Sequence, residues 1–103
     1  MRRHQRILVP DGHAIRVVAI EQEELAKLNG VVTVIGLGGM FFRTADSCPA
    51  GTVLHLRLAD SIVTFESECT VRNVASNGLG VEFTRITHEN ELKLKSLLHA
   101  MKH

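Results

Sequence analysis

Residues 52–59 read TVLHLRLA and residues 62–75 read IVTFESECTVRNVA. In the first run Leu54, Leu56 and Leu58 alternate with His55 and Arg57. In the second, Val63, Phe65, Cys69 and Val71 oppose Glu66, Glu68, Thr70 and Arg72. Successive side chains of a strand point to opposite faces, so this two-residue period is the mark of half-buried antiparallel strands with one wet face and one core face. The ADS between the runs suits a short hairpin loop. SNG at 76–78 is a second turn with a strong hairpin signal, and it leads into LGVEFTRI (79–86), where Val81 and Phe83 share a face.

The rest of the chain fits the same plan. HAIRVVAI (13–20), VVTVI (31–35) and MFFRT (40–44) read as strands, and SCPAG (47–51) as a turn. EQEELAKLNG (21–30) consists of helix formers closed by Asn29-Gly30, a C-terminal stop signal, and predicts a short helix or a polar loop. The period changes at the end. Thr87 can cap a helix starting at His88 with Glu89 in its first turn; Leu94, Leu97, Leu98 and Met101 form one stripe, and Glu91–Lys95 is a favourable i,i+4 pair. About six strands at short intervals, then one amphipathic helix, predict an all-β fold with a C-terminal α-helix, a small six-stranded antiparallel β-barrel with the helix packed against it. The expected organisation is a single domain over 1–103, with a basic N-terminal arm at 1–10 and the helix at 87–102.

Composition narrows the function. A chain of 103 residues holds one core. The net charge of +1 excludes a polyanion binder acting by bulk charge, and with no Trp or Tyr and four Phe the chain lacks a stacking platform for single strands, so no nucleic acid polymer is expected as partner. No apolar run approaches the ~18 residues that span a bilayer, and no membrane association is expected. MRRHQRILVP has no apolar h-region, and Cys48 and Cys69 form no CxxC, so the reading is a cytoplasmic protein with reduced thiols.

Signs of chemistry are missing. Asp46-Ser47 has no histidine partner that spacing identifies, and Glu66 and Glu68 on one strand face read as solvated acids. His99 and His103 have a zinc-compatible i,i+4 spacing, but no acid or thiolate obviously joins them. The expectation is a protein that is not an enzyme, with no catalytic residues, no metal and no resident cofactor.

Two stretches remain. VIGLGGMFF (34–42) sets three glycines among apolar side chains. Gly36-x-Gly38 opens a dinucleotide fingerprint, but its sixth position is Phe41 and a strand follows, and no GK[ST] completes a phosphate loop. Local pattern reads these glycines as a bulge or tight turn where backbone passes close to something. Arg2, Arg3 and Arg6 crowd the first six residues. Guanidinium suits a phosphate or the O6/N7 edge of guanine because its donors form a planar fork, although a basic terminus without a ligand presents the same charge.

The order of these pieces resembles the PilZ domain family. RRHQR supplies an RxxxR pattern, VVTVIGLGGMFF stands in the place of the second family motif, and CTVRNVASNGLGVEFTRIT is similar to its late hairpin. The resemblance covers nearly the full chain and implies a small barrel that acts as a non-catalytic receiver of the bacterial second messenger cyclic di-GMP. RxxxR maps onto Arg2 and Arg6. The motif (D/N)xSxxG maps onto Val34-Ile35-Gly36-Leu37-Gly38-Gly39, of which only the final glycine, Gly39, matches; Val34 replaces the acid or amide and Gly36 the serine. Each lost polar contact costs about 1–3 kcal/mol, so two would weaken binding by roughly 30-fold to 10⁴-fold. The resemblance thus implies either a cyclic di-GMP receptor using Arg2, Arg3, Arg6, Gly36, Gly38 and Gly39 and signalling to a protein partner, or a divergent PilZ-like interaction module that no longer binds the nucleotide.

Overall fold

The structure is a computed structural model that describes residues 6–10, 12–20 and 28–101. Seven strands, β1 (Arg6–Leu8), β2 (Arg16–Ala19), β3 (Asn29–Gly36), β4 (Gly39–Arg43), β5 (Val53–Ala59), β6 (Thr64–Ala75) and β7 (Gly78–Arg85), precede one helix, α1 (His88–Met101). Six of them close into an antiparallel barrel in the order β3-β2-β5-β6-β7-β4, with β4 returning to β3. β1, from the basic head, adds to the edge of β3 beyond β2. The fold is the barrel with a C-terminal helix that the alternating runs predict.

The two long runs pair along the whole of β5, from Val53↔Thr70 to Ala59↔Thr64. Leu54, Leu56, Leu58, Phe65, Cys69 and Val71 all point into the core, and Phe65 meets Phe83 edge to face with ring centroids 6.3 Å apart. The connecting loop is held by Asp60, whose Oδ1 accepts the amides of Ile62 and Val63, both at 2.7 Å. Ser67 is also buried. Its Oγ lies within hydrogen-bond reach of the carbonyl oxygens of Glu68 (3.0 Å) and Arg85 (3.3 Å), which makes a hydroxyl tolerable in the core.

The C-terminal helix forms and docks as its pattern predicts. Thr87 Oγ1 accepts the Asn90 amide at 3.2 Å, and Leu94, Leu97, Leu98 and Met101 are buried. Asn90 turns this cap into a tether: Nδ2 donates to Thr87 Oγ1 (2.8 Å), while Oδ1 accepts the Glu66 amide of β6 (3.0 Å). The expected Glu91–Lys95 ion pair does not form. Glu91 Oε1 instead lies 4.0 Å from His88 Nδ1, and Lys93 pairs with Glu89 at 3.9 Å.

The Asn29-Gly30 pair departs from its reading as a helix stop. Residues 21–27, the bulk of the expected helix or loop, lie outside the described residues, but Asn29-Gly30 ends no helix: it begins β3, where Gly30 pairs with Val17. The glycine is there for space. A Cβ on Gly30, Gly39 or Gly78 would stand 2.3 Å from the carbonyl oxygen of Arg43, Val81 or Phe42, so β4 is hemmed by backbone approaches that only glycine permits.

Gly78→Ala is expected to destabilise the fold by about 1–3 kcal/mol through overpacking. Gly12→Ala, where a Cβ meets nothing within 4 Å, should change it by less than about 0.5 kcal/mol; chemical denaturation of both variants checks this. A second expectation concerns pH. Burial, helped by the Glu68 carboxylate, pushes the Cys69 thiol up to about 12 from 9.0. Between these values the unfolded chain releases this proton and the folded chain keeps it, so stability falls as pH rises, with a limiting slope of about 1.4 kcal/mol per pH unit. Cys69→Ala should flatten that slope in denaturation curves recorded from pH 8 to 11.

Candidate functional site

β1 runs antiparallel to the second half of β3, with Arg6 opposite Gly36, Ile7 opposite Ile35 and Leu8 opposite Val34. This register carries Arg6 to the end of β3 where the chain turns through Leu37 and Gly38 into β4. Beside this turn lies a cleft of about 510 Å³, lined by Arg6, Leu37, Gly38, Arg72, Glu82 and Lys95 among others. It is therefore walled by β1, the β3–β4 turn, the β6–β7 hairpin and α1, and its size is ordinary for a small-molecule site.

Two bulges set its walls. The register of β3 against β4 shifts between Val32 and Val34, so Val32 and Ile35 are both buried although they are three residues apart. One inserted residue reverses the side-chain parity of everything after it. Val34 and Gly36 consequently stand on the face opposite to Ile35. In β6 the register against β7 shifts between Val71 and Asn73, leaving Arg72 as the extra residue. Val71 still faces the core opposite Val81, and Arg72 is swung to the surface beside Glu82.

The cleft is polar and mixed in charge. Arg72 Nε donates to Glu82 Oε1 at 2.8 Å, both side chains being about half exposed. Such a pair adds no more than about 1 kcal/mol to stability. Arg6 is exposed, and neither Arg6 nor Lys95 makes an ion pair among the described residues. Their charges are available to an anion. Among the described residues the site has no buried nucleophile with an adjacent base, and no three His, Cys, Asp or Glu side chains are grouped to hold a metal ion.

Of the residues singled out from the sequence, Arg6 and Gly38 line the cleft and Gly36 faces Arg6 across the β1–β3 ladder. Gly39 is buried against the Val81 carbonyl and supports the turn from behind. Arg2 and Arg3 lie outside the described residues. Sequence reading missed Arg72, Glu82 and Lys95. A signal for the first two existed: a two-residue turn at 76–77 that pairs Ala75 with Gly78 would set Glu82 against the core residue Val71, and only an extra residue in the hairpin resolves that conflict. No comparable signal marked Lys95, because nothing in the helix pattern says which part of the barrel its polar face will border.

Comparison with known proteins agrees with this architecture. No curated protein matches the sequence. Among solved structures, the crystal structure of YcgR in complex with c-di-GMP from Escherichia coli superposes with a TM-score of 0.76 at 16% identity, over 98% of this chain and 46% of that one. This chain thus spans about half the length of that protein. No helix among the described residues is long and apolar enough to cross a membrane. The PilZ domain model matches residues 1–100; this chain belongs to the PilZ domain family.

Proposed function

We propose that this chain is a non-catalytic receptor domain that binds cyclic di-GMP in the cleft beside the β3–β4 turn and passes the bound state to a protein partner. One observation carries the reading: the ladder sets Arg6, the closing residue of RxxxR, opposite Gly36 and into one cleft with Gly38. Remnants of two family motifs, more than two dozen residues apart in sequence, thus meet where a ligand fits. The bound nucleotide in the YcgR complex supports the same choice of ligand.

The chemistry is matched to a doubly charged phosphodiester ring. The Arg6 guanidinium offers paired N–H donors to one phosphate, and the Lys95 ammonium offers a point charge from the helix side. Arg2 and Arg3, outside the described residues, are proposed as further cationic ligands on the strength of their charge and sequence position. Gly38 leaves the cleft wall without a side chain, so the ligand can lie close to backbone there, and Gly36 and Gly39, both buried, shape the turn around it. A bound ligand would bridge the head of the chain and α1, two elements at the surface that a partner could read.

A second reading has its own observation. Val34 is half-buried between Leu8 and Phe41, and it and Gly36 bring no polar side chain to the place where the family motif has an acid or amide and a serine. On that ground the barrel would serve as a protein-interaction module without a nucleotide.

Titration calorimetry separates the two. The receptor reading expects binding of cyclic di-GMP by the intact chain and a loss of about 10-fold to 150-fold in Arg6→Ala, the value of a charge-assisted contact of roughly 1.5–3 kcal/mol. The circular dichroism spectrum of that variant should be unchanged, since Arg6 is exposed. No heat and no chemical-shift change at about 100 µM ligand would leave the interaction module as the function.

A further inference from the structure

Among the described residues three arginine–glutamate pairs cross between strands of this barrel; Arg85 and Glu68 stand 4.0 Å apart, and the two closer pairs are built differently. Between β5 and β6, Arg57 closes on Glu66 with two nitrogens, Nε at 3.0 Å and Nη2 at 2.9 Å from the same Oε2. Between β6 and β7, Arg72 touches Glu82 through Nε alone, at 2.8 Å from Oε1. The shortest contact of the second pair thus uses Nε and Oε1, with the Nη groups of Arg72 and Oε2 of Glu82 outside it. The first pair lies outside the cleft, whereas the second lines it.

The backbone under the second pair is also distinctive. Arg72 is the extra residue of the β6 bulge, and bulges re-aim side chains. Asn73, the next residue along the wall, lies over Gly80 of β7, where a Cβ would stand 3.3 Å from its side chain. The pair itself lines the cleft that Arg6 and Lys95 also line.

Resting on the receptor reading above, we infer that Arg72 and Glu82 form the base-reading element of this site and select guanine in place of the polar groups absent at Val34 and Gly36. Around its edge guanine presents N7 and O6 as acceptors, then N1–H and the 2-amino group as donors. A guanidinium lying beside a carboxylate presents donors and then acceptors in the matching order. Adenine presents N7, a 6-amino donor and the N1 acceptor, which sets a donor against the guanidinium and an acceptor against the carboxylate. The pair thus accepts one purine and repels the other, while Arg6 and Lys95 hold the phosphates of either.

The test is the ratio of dissociation constants for cyclic di-AMP and cyclic di-GMP, measured by calorimetry on the intact chain and three variants. The expected result is a preference for cyclic di-GMP of about 10-fold or more in the wild type. That preference should fall towards unity in Glu82→Gln and in Arg72→Met, and persist in Glu66→Gln, which alters the closed pair outside the cleft. Thermal melts establish that each variant is folded, and the two cleft variants guard against loss of either one. A wild type that binds both nucleotides equally overturns the inference. So does an unchanged preference in folded Glu82→Gln and Arg72→Met, while the receptor reading survives either result. A wild type that binds neither nucleotide removes the receptor reading and this inference together.

Discussion

The structure depends on β3 having two neighbours along one edge. Its first residues, Asn29–Val31, take β2, and its last, Val34–Gly36, take β1, while the other edge takes β4. The first half of this arrangement closes the barrel and removes the open sheet edges that a row of unpaired amides would otherwise present. The second half fastens Arg6 beside the β3–β4 turn. Barrel closure and assembly of the cleft are two consequences of one eight-residue strand.

Irregular pairing turns that closed surface into a site. A regular sheet would keep each charged side chain at the register its turn dictates. The bulge in β3 turns the Val34 side chain away from the core while Ile35 fills it, and the bulge in β6 frees Arg72 from strict pairing. In both places an extra residue is tolerated because the buried residues around it, Val32 and Ile35 in one case and Val71 and Val81 in the other, still reach the interior. The core sets where a bulge is permissible, and the bulge sets which polar groups face the ligand.

The charge around the cleft also differs from what the sequence motifs alone convey. The stretch at 34–39 contributes shape and almost no polarity. Charge comes from four separate elements: Arg6 on β1, Arg72 on β6, Glu82 on β7, and Glu91 and Lys95 on α1. The helix thereby does more than cover core. Asn90 ties its first turn to the Glu66 amide, and this fixes which face of α1 borders the cleft.

Period-two alternation and the change to helical spacing after Thr87 are local properties, and they were enough to determine an antiparallel barrel with one terminal helix and nearly all of its core. Arg6 was legible too, because a basic residue with no acid before Asp11 stands out in any linear reading. The role of Gly30 was not, since an Asn-Gly pair after helix formers looks the same whether it stops a helix or makes room for the Arg43 carbonyl of a strand 13 positions away. Nor was the company Arg6 keeps. Arg72, Glu82 and Lys95 lie far from it in sequence, and their meeting depends on strand register, on bulges and on the docking angle of α1. Those are settled by the packing of the whole core, a global minimum of buried area and paired backbone that no local window contains.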